Sequence, residues 1–98
     1  MTTRYLPQTR NDLRAARRYD ETQRPGLGSE FLDEVQAAIQ RIETNPESCQ
    51  IIDVDEDIRP CQTRRFPYGV IDRYRDEEIV IVAISHSRRD PDHWKDRL

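Results

Sequence analysis

Apolar residues recur along this chain at two different spacings, which divide it into helices and strands. The apolar residues between positions 31 and 42 are spaced at i, i+4, i+7, i+8 and i+11, which places them on one face of a helix. They are Phe31, Val35, Ala38, Ile39 and Ile42. Asn45 and Pro46 end this helix, and Ser29 is positioned to cap its first turn.

A thinner apolar stripe predicts a shorter helix before it. Its members, spaced at three residues, are Leu13, Ala16 and Tyr19. Thr9 begins this helix, with Asp12 three residues on in a weakened form of the capping box. The stretch from residue 24 to residue 28 contains one Pro and two Gly, so it predicts a tight reversal between two antiparallel helices.

The remaining apolar residues lie in short β-branched runs that predict strands. Thr3–Leu6 is the first strand, and Ile58–Arg65 is a second whose Pro60 suits an edge position. The last two strands form a hairpin around residues 75–78. Ile79–Ile84 is apolar on both alternating faces, which predicts a central strand that is covered on both sides.

The predicted order is strand, helix, helix, strand, strand, strand. This order favours an α+β fold in which an αα-hairpin packs on a small antiparallel β-sheet. The 98 residues form one domain, 1–98, and leave no room for a linker. The longest apolar run is far shorter than the ~20 residues of a spanning helix, so no membrane association is predicted.

Cysteine and acidic residues indicate neither a disulfide framework nor a metal site. Cys49 and Cys61 have no metal-ligand spacing, and two cysteines in such a chain predict a reducing, cytoplasmic location. The acidic segment 53–57 lacks the Gly and the distal Glu of a calcium loop, so it predicts a solvated loop. No cofactor and no small-molecule ligand are expected.

Charge is distributed unevenly along the chain. The net charge of −3 is the sum of +4 over residues 1–18, −9 over residues 19–57 and +2 over residues 58–98. Fifteen of the sixteen basic residues are Arg, whose planar guanidinium pairs with carboxylates or phosphates in a bidentate manner. An acidic protein with basic segments does not fit a general nucleic-acid binder.

The polar tail after the last strand carries the candidate chemistry. Cleavage of RNA without a metal needs an acid, a base and cations around the phosphate. His86 is the candidate acid or base, since histidine titrates near neutral pH. The candidate phosphate ligands are Arg59, Arg65, Arg88 and Arg89. The alternatives are a structural role for His86, a packing role for Trp94 and a surface position for His93.

Four features, in this order along the chain, resemble the RelE/ParE superfamily of bacterial toxins from type II toxin–antitoxin pairs. They are Pro25-Gly26-Leu27-Gly28 between the helices, the second helix from Phe31 to Ile42, Arg65-Phe66-Pro67-Tyr68 before the hairpin, and His86-x-x-Arg89-x-Pro91-x-x-Trp94 in the tail. The resemblance covers roughly residues 9–97 and is closer to the ParE-like branch. Asp72 departs from it, because an aromatic residue is common at this position of the hairpin.

The resemblance implies a cognate antitoxin and one of two targets. ParE-like members inhibit DNA gyrase, whereas RelE-like members cleave messenger RNA on the ribosome. The ParE-like function is favoured here, and a messenger RNA endonuclease is the alternative. A protein that has lost its toxicity and retains only antitoxin binding is a second alternative.

Each reading assigns different site residues. A binder would contact its target through Arg59, Arg65, Arg88, Arg89 and Trp94. A nuclease would use His86, Arg65 and Arg89 for catalysis. In either case the first helix is thinly apolar and rich in Arg, so it is predicted to bind an acidic, amphipathic antitoxin segment. The predicted antitoxin contacts are Leu13, Arg14, Arg17, Arg18 and Tyr19.

Overall fold

A computed structural model describes residues 2–88 and 93–98 of the chain. The elements are β1 (Thr2–Tyr5), α1 (Pro7–Gln23), α2 (Leu27–Thr44), β2 (Ile58–Gln62), β3 (Tyr68–Arg75), β4 (Glu78–His86) and a final 3₁₀ turn (Lys95–Arg97). The two helices pack on one four-stranded sheet. The predicted α+β fold with an αα-hairpin is therefore confirmed.

The sheet has the strand order β1-β4-β3-β2. The pairs β2–β3 and β3–β4 are antiparallel, whereas β1 runs parallel to β4, so the sheet is mixed rather than wholly antiparallel. The parallel pairing is possible because the helical hairpin and two further strands separate β1 from β4 in the chain. As predicted, β4 is an interior strand, and Pro60 lies in an edge strand, β2, where a missing backbone N–H is tolerated.

The larger hydrophobic core lies between the helices and the sheet. All five residues of the predicted α2 face are buried there. The first helix contributes Ala16 fully and Leu13 partly, which agrees with its thin apolar stripe. β4 contributes Ile79, Ile81 and Ile84 from below.

A smaller core covers the opposite face of the sheet. It consists of Ile58, Ile71, Val80, Val82, Ala83 and Trp94, with Leu6 packed against it. Ile71 pairs with Ala83 and Asp72 with Ile81, so Val82 is an extra residue that bulges from β4. The bulge turns both Val82 and Ala83 toward this face. Trp94, 3% exposed, brings the end of the chain back onto the sheet.

The predicted caps of both helices are wrong. α1 begins at Pro7, and the hydroxyl of Thr9 lies 2.7 Å from the carbonyl oxygen of Ile81 and 2.6 Å from that of Val82, so it bonds the sheet instead of the helix end. At α2 the side chain of Glu21 takes the place predicted for Ser29. It accepts hydrogen bonds from the backbone amides of Gly26 and Gly28 at 3.1 and 3.0 Å.

The prediction of no disulfide is also wrong. Cys49 and Cys61 are bonded to each other, with their Cα atoms 5.8 Å apart. The bond joins the loop after α2 to the edge strand β2. Sequence spacing does not reveal it, because the loop has to return to the sheet before the two side chains meet.

Candidate functional site

The outward surface of α1 carries four arginines at i, i+4, i+7 and i+8: Arg10, Arg14, Arg17 and Arg18. All four are exposed, and within the described residues none lies within ion-pair distance of a carboxylate. Arg14 makes only a 3.4 Å bond to Asn11, and Arg10 lies 5.8 Å from the ring centre of Tyr5. We call these four residues the arginine stripe. Its charge is available to a partner.

Part of the arginine stripe borders an open groove of about 590 Å³ where α1 meets the start of α2. Its lining is Arg14, Arg17, Arg18, Glu21, Thr22, Gly26 and Ser29. The amides of Gly26 and Gly28 hold the pKa of Glu21 below its usual range and occupy its carboxylate oxygens. The three arginines therefore outweigh the one acid in this groove.

A second groove, of about 340 Å³, lies beside the other end of the arginine stripe and is mainly apolar. Its lining is Tyr5, Arg10, Leu13, Leu32, Val35, Gln36 and Ile39. Four of the five predicted antitoxin contacts thus line one of the two grooves: Leu13 the apolar one, and Arg14, Arg17 and Arg18 the basic one. The fifth, Tyr19, is 60% exposed and lines neither.

His86 lies at the end of β4, directly opposite Tyr68 at the start of β3. Their rings meet edge to face with centres 5.1 Å apart. The imidazole Nδ1 accepts a hydrogen bond from the backbone N–H of Arg88 at 3.0 Å. An accepting Nδ1 places the proton of the neutral ring on Nε2. The bond from Arg88 occupies the lone pair of Nδ1, which a general base would use, so the ring is poorly arranged to act as a base.

Asp20 is the acidic neighbour of this histidine, and it was missed by sequence reasoning. Asp20 is 6% exposed, and among the described residues its buried Oδ2 has no hydrogen-bond partner. Burial raises the pKa of Asp20, and the nearby His86 opposes that shift. Burial is the main cause that raises the pKa of Tyr68, and the charge of Asp20 is the second. A signal existed in the sequence, because Asp20 lies four residues beyond Ala16 on the buried stripe of α1.

Two of the predicted target-binding arginines lie at the His86 end of the sheet. The loop that holds Arg65 is joined to the tail, since Ser87 N–H donates to the carbonyl of Pro67 at 2.8 Å. Both Arg65 and Arg88 are exposed, and Arg65 forms a surface ion pair with Glu30 at 3.0 Å. Arg89 lies outside the described residues, so its predicted role stays a prediction.

The other two predicted target contacts lie elsewhere. Arg59 is opposite Asp72, four residues along β3 from Tyr68, which is about 13 Å at the usual rise of a strand. Trp94 is buried in the smaller core, where it packs against the sheet and is inaccessible to a target. The predicted set therefore does not form a single surface in this structure, because strand register separates Arg59 from the tail.

Asp72 is a buried carboxyl in the middle of β3. It is 1% exposed, and among the described residues neither of its oxygens has a hydrogen-bond partner. Burial raises its pKa to about 7, although Arg59 on the neighbouring strand opposes the shift. The Nε of Arg59 is likewise buried without a partner. The Asp72 carboxyl and the Arg59 Nε are therefore buried polar groups and do not form an accessible site.

A metal site and a membrane-spanning helix are both missing from the described part of the chain. No group of three or more His, Cys, Asp or Glu side chains there is arranged to hold a metal ion. No helix in that part combines the length and apolar character needed to cross a bilayer.

Comparison with known proteins gives a family. The family model for the ParE toxin of the type II toxin–antitoxin system parDE matches residues 3–91. A solved structure described as the chromosomal ParDE TA system from P. aeruginosa is similar in fold, with a TM-score of 0.76 at 15% identity over 88% of this chain and 95% of the other. A comparison with curated proteins gives no match. The family model spans almost the whole chain, and the chain therefore belongs to the ParE toxin family, in the RelE/ParE superfamily.

Proposed function

We propose that this toxin acts by binding DNA gyrase and that a cognate antitoxin neutralises it by covering α1. One observation carries the proposal: four arginines without carboxylate partners in the described structure lie between a basic groove and an apolar groove. These arginines have no carboxylate to pair with in the described structure, and a bound partner would supply such carboxylates.

The chemistry of the two grooves specifies the antitoxin segment. The apolar groove fits one face of an amphipathic helix, which binds through side chains at i, i+3, i+4 and i+7. Acidic residues next to that face would reach Arg14, Arg17 and Arg18 and form charge-assisted hydrogen bonds. A segment of this kind is acidic and partly disordered when free.

The geometry around His86 favours binding over catalysis. The Nδ1 of His86 already accepts a backbone hydrogen bond, and Asp20, an acid that interacts electrostatically with His86, is buried. Arg65 is held by Glu30, and Arg59 is about four strand residues away from the tail. An acid–base pair with converging cations, which RNA cleavage requires, is therefore not assembled among the described residues. The net charge of −3 also opposes approach to RNA.

Inducible expression tests the toxic activity. We expect growth to stop with replication stalled and transcripts intact, and His86→Ala to have a mild effect. Cuts in messenger RNA that follow the codon phase and vanish in His86→Ala would support the RelE-like alternative and contradict the proposal. Normal growth at a verified level of folded protein would identify a non-toxic remnant that binds the antitoxin only.

Charge reversal tests the antitoxin surface. Co-expression with the neighbouring gene should give a complex that withstands moderate salt. The triple change Arg14→Glu, Arg17→Glu and Arg18→Glu should weaken that complex by at least about 100-fold, since charged contacts at an interface each contribute roughly 1–3 kcal/mol. Arg64→Glu is the control for a single charge reversal, because Arg64 is exposed on a different groove, near the end of α2.

Two results would contradict this assignment. The triple variant could bind as tightly as the parent protein, or Arg64→Glu could weaken the complex as much as the triple change does. Circular dichroism of each variant distinguishes lost binding from lost folding.

A further inference from the structure

The Cys49–Cys61 disulfide is a covalent bond between the first half of the loop after α2 and the edge strand of the sheet. Cys49 is in the loop between α2 and β2, and Cys61 is in the edge strand. They are the only two cysteines of the chain. The bond closes a covalent ring that includes the acidic segment 53–57.

Residues 45–57 form the longest connection between elements within residues 2–88. The second half of this loop is bonded to the sheet, since Ile52 N–H donates to the carbonyl of Ile58 at 2.8 Å and Tyr74 N–H to that of Asp57 at 3.4 Å. The backbone bonds of the first half are local. Asn45 N–H donates back to Arg41 and Ser48 N–H to Asn45, both at 3.0 Å. Further along, ion pairs join Asp57 to Arg75 and Glu56 to Arg73 near the surface. Exposed pairs of this kind contribute little to stability. The position of the first half of the loop therefore depends on the disulfide.

The two sulfur atoms differ in their access to an incoming thiol. Cys49 is half-buried, whereas Cys61 is 6% exposed and packs in the larger core. An attacking thiolate therefore reaches Cys49 first and expels Cys61 as the leaving thiolate. Arg59 lies two residues from Cys61 on the same face of β2, with its buried Nε unpartnered among the described residues. Its positive charge favours the leaving thiolate, and Asp72, across from Arg59, opposes this effect.

We propose that Cys49–Cys61 is a reversible redox site that dithiol reductants open, and that its opening loosens residues 45–51 while the helices and sheet stay folded. One thiolate of the reductant attacks Cys49 Sγ, the S–S bond breaks, and Cys61 leaves and takes up a proton. The second thiolate of the reductant then displaces Cys49, which is also protonated. The reductant is oxidised to its disulfide and supplies both electrons and both protons.

Two measurements on the purified, oxidised full-length protein test the proposal. Dithiothreitol is added without denaturant, free thiols are trapped with N-ethylmaleimide, and mass spectrometry counts the adducts. Hydrogen exchange is then measured on the oxidised and reduced proteins. We expect two adducts per chain, and exchange in peptides covering residues 45–51 that is faster by about tenfold or more, because a cross-link across a loop of this length restricts its open states. Peptides from α2 and β4 should exchange at the same rate in both states.

Controls separate a redox site from a merely structural cystine. Reoxidation of the reduced protein should restore slow exchange in the loop, and the double variant Cys49→Ser with Cys61→Ser should match the reduced protein. Thiols that appear only after denaturant is added would overturn the proposal. So would unchanged exchange in residues 45–51 after reduction, or a loss of protection throughout α2 and β4. These measurements do not involve the antitoxin or gyrase, so they stand apart from the proposed function.

Discussion

At the scale of single residues, the chain departs from a simple pattern at buried polar groups. Thr9, Asp20 and Asp72 are all buried, although each belongs to a type that is usually exposed. Thr9 is satisfied by carbonyl groups of β4, whereas Asp72 has no hydrogen-bond partner in the described part of the chain. A carboxyl in that position is neutral more readily than in water, because burial penalises its charged form.

The pKa of Asp72 predicts how stability changes with pH. The folded pKa of about 7 lies above the ordinary value of 3.8. The folded protein therefore holds the proton of Asp72 more tightly than the unfolded chain does. The resulting contribution to the free energy of unfolding is fully present below about pH 4 and is lost as the pH rises to about 7. By linkage, the free energy of unfolding should fall over this window by an amount on the order of 3–4 kcal/mol.

Urea denaturation of Asp72→Asn between pH 4 and pH 8 checks this prediction. The neutral amide should remove the fall and make the variant more stable than the parent at pH 8. Asp55→Asn, the same change at an exposed loop position, is the control and should retain the parent's pH dependence. Parallel curves for the parent and Asp72→Asn would show that the carboxyl is not buried in the way described.

At the scale of elements, the periodicity of apolar residues was sufficient to predict a helix or strand wherever neighbouring residues determine the structure. The spacing of apolar residues gave the face of α2, and the apolar run of Ile79–Ile84 gave the interior strand. Periodicity did not predict the features that depend on residues far apart in the sequence. The partners of Thr9 are 72 and 73 residues away in the sequence, and the two cysteines of the disulfide are 12 residues apart. The parallel pairing of β1 likewise depends on where the whole chain places β4.

The β3–β4 turn gives a prediction at the same scale. Asp76 and Glu77 have φ angles of 53° and 60°, the left-handed pair that a tight two-residue hairpin requires. A left-handed conformation costs an L-residue other than Gly roughly 1–2 kcal/mol. Glu77→Gly should therefore raise the free energy of unfolding by up to ~1 kcal/mol, after the greater freedom of Gly in the unfolded chain is subtracted.

Thermal unfolding of Glu77→Gly beside Glu78→Gly measures this effect. Glu78 belongs to β4 and pairs with Arg75, so glycine there should destabilise the protein. A lower melting temperature for Glu77→Gly than for the parent would contradict the assigned turn.

At the scale of the whole molecule, charge and shape divide the surface. Sequence reasoning located the arginine-rich helix, because the spacing of its arginines is visible in the chain. The described residues of the predicted target-binding set do not lie together on one surface. Strand register moved Arg59 away from the tail, and the second core took Trp94 from the surface. Sequence reasoning also missed Asp20 beside His86, since that contact joins α1 to the end of β4.

The proposed function of this ParE-family protein is inhibition of DNA gyrase by binding. The most direct test is the supercoiling of relaxed plasmid by purified gyrase with increasing amounts of the toxin. We predict that supercoiling stops as toxin is added, that His86→Ala inhibits nearly as well, and that prior addition of the antitoxin restores activity. Undiminished supercoiling at saturating toxin, together with codon-phased cleavage of messenger RNA in a translating extract, would contradict the claim.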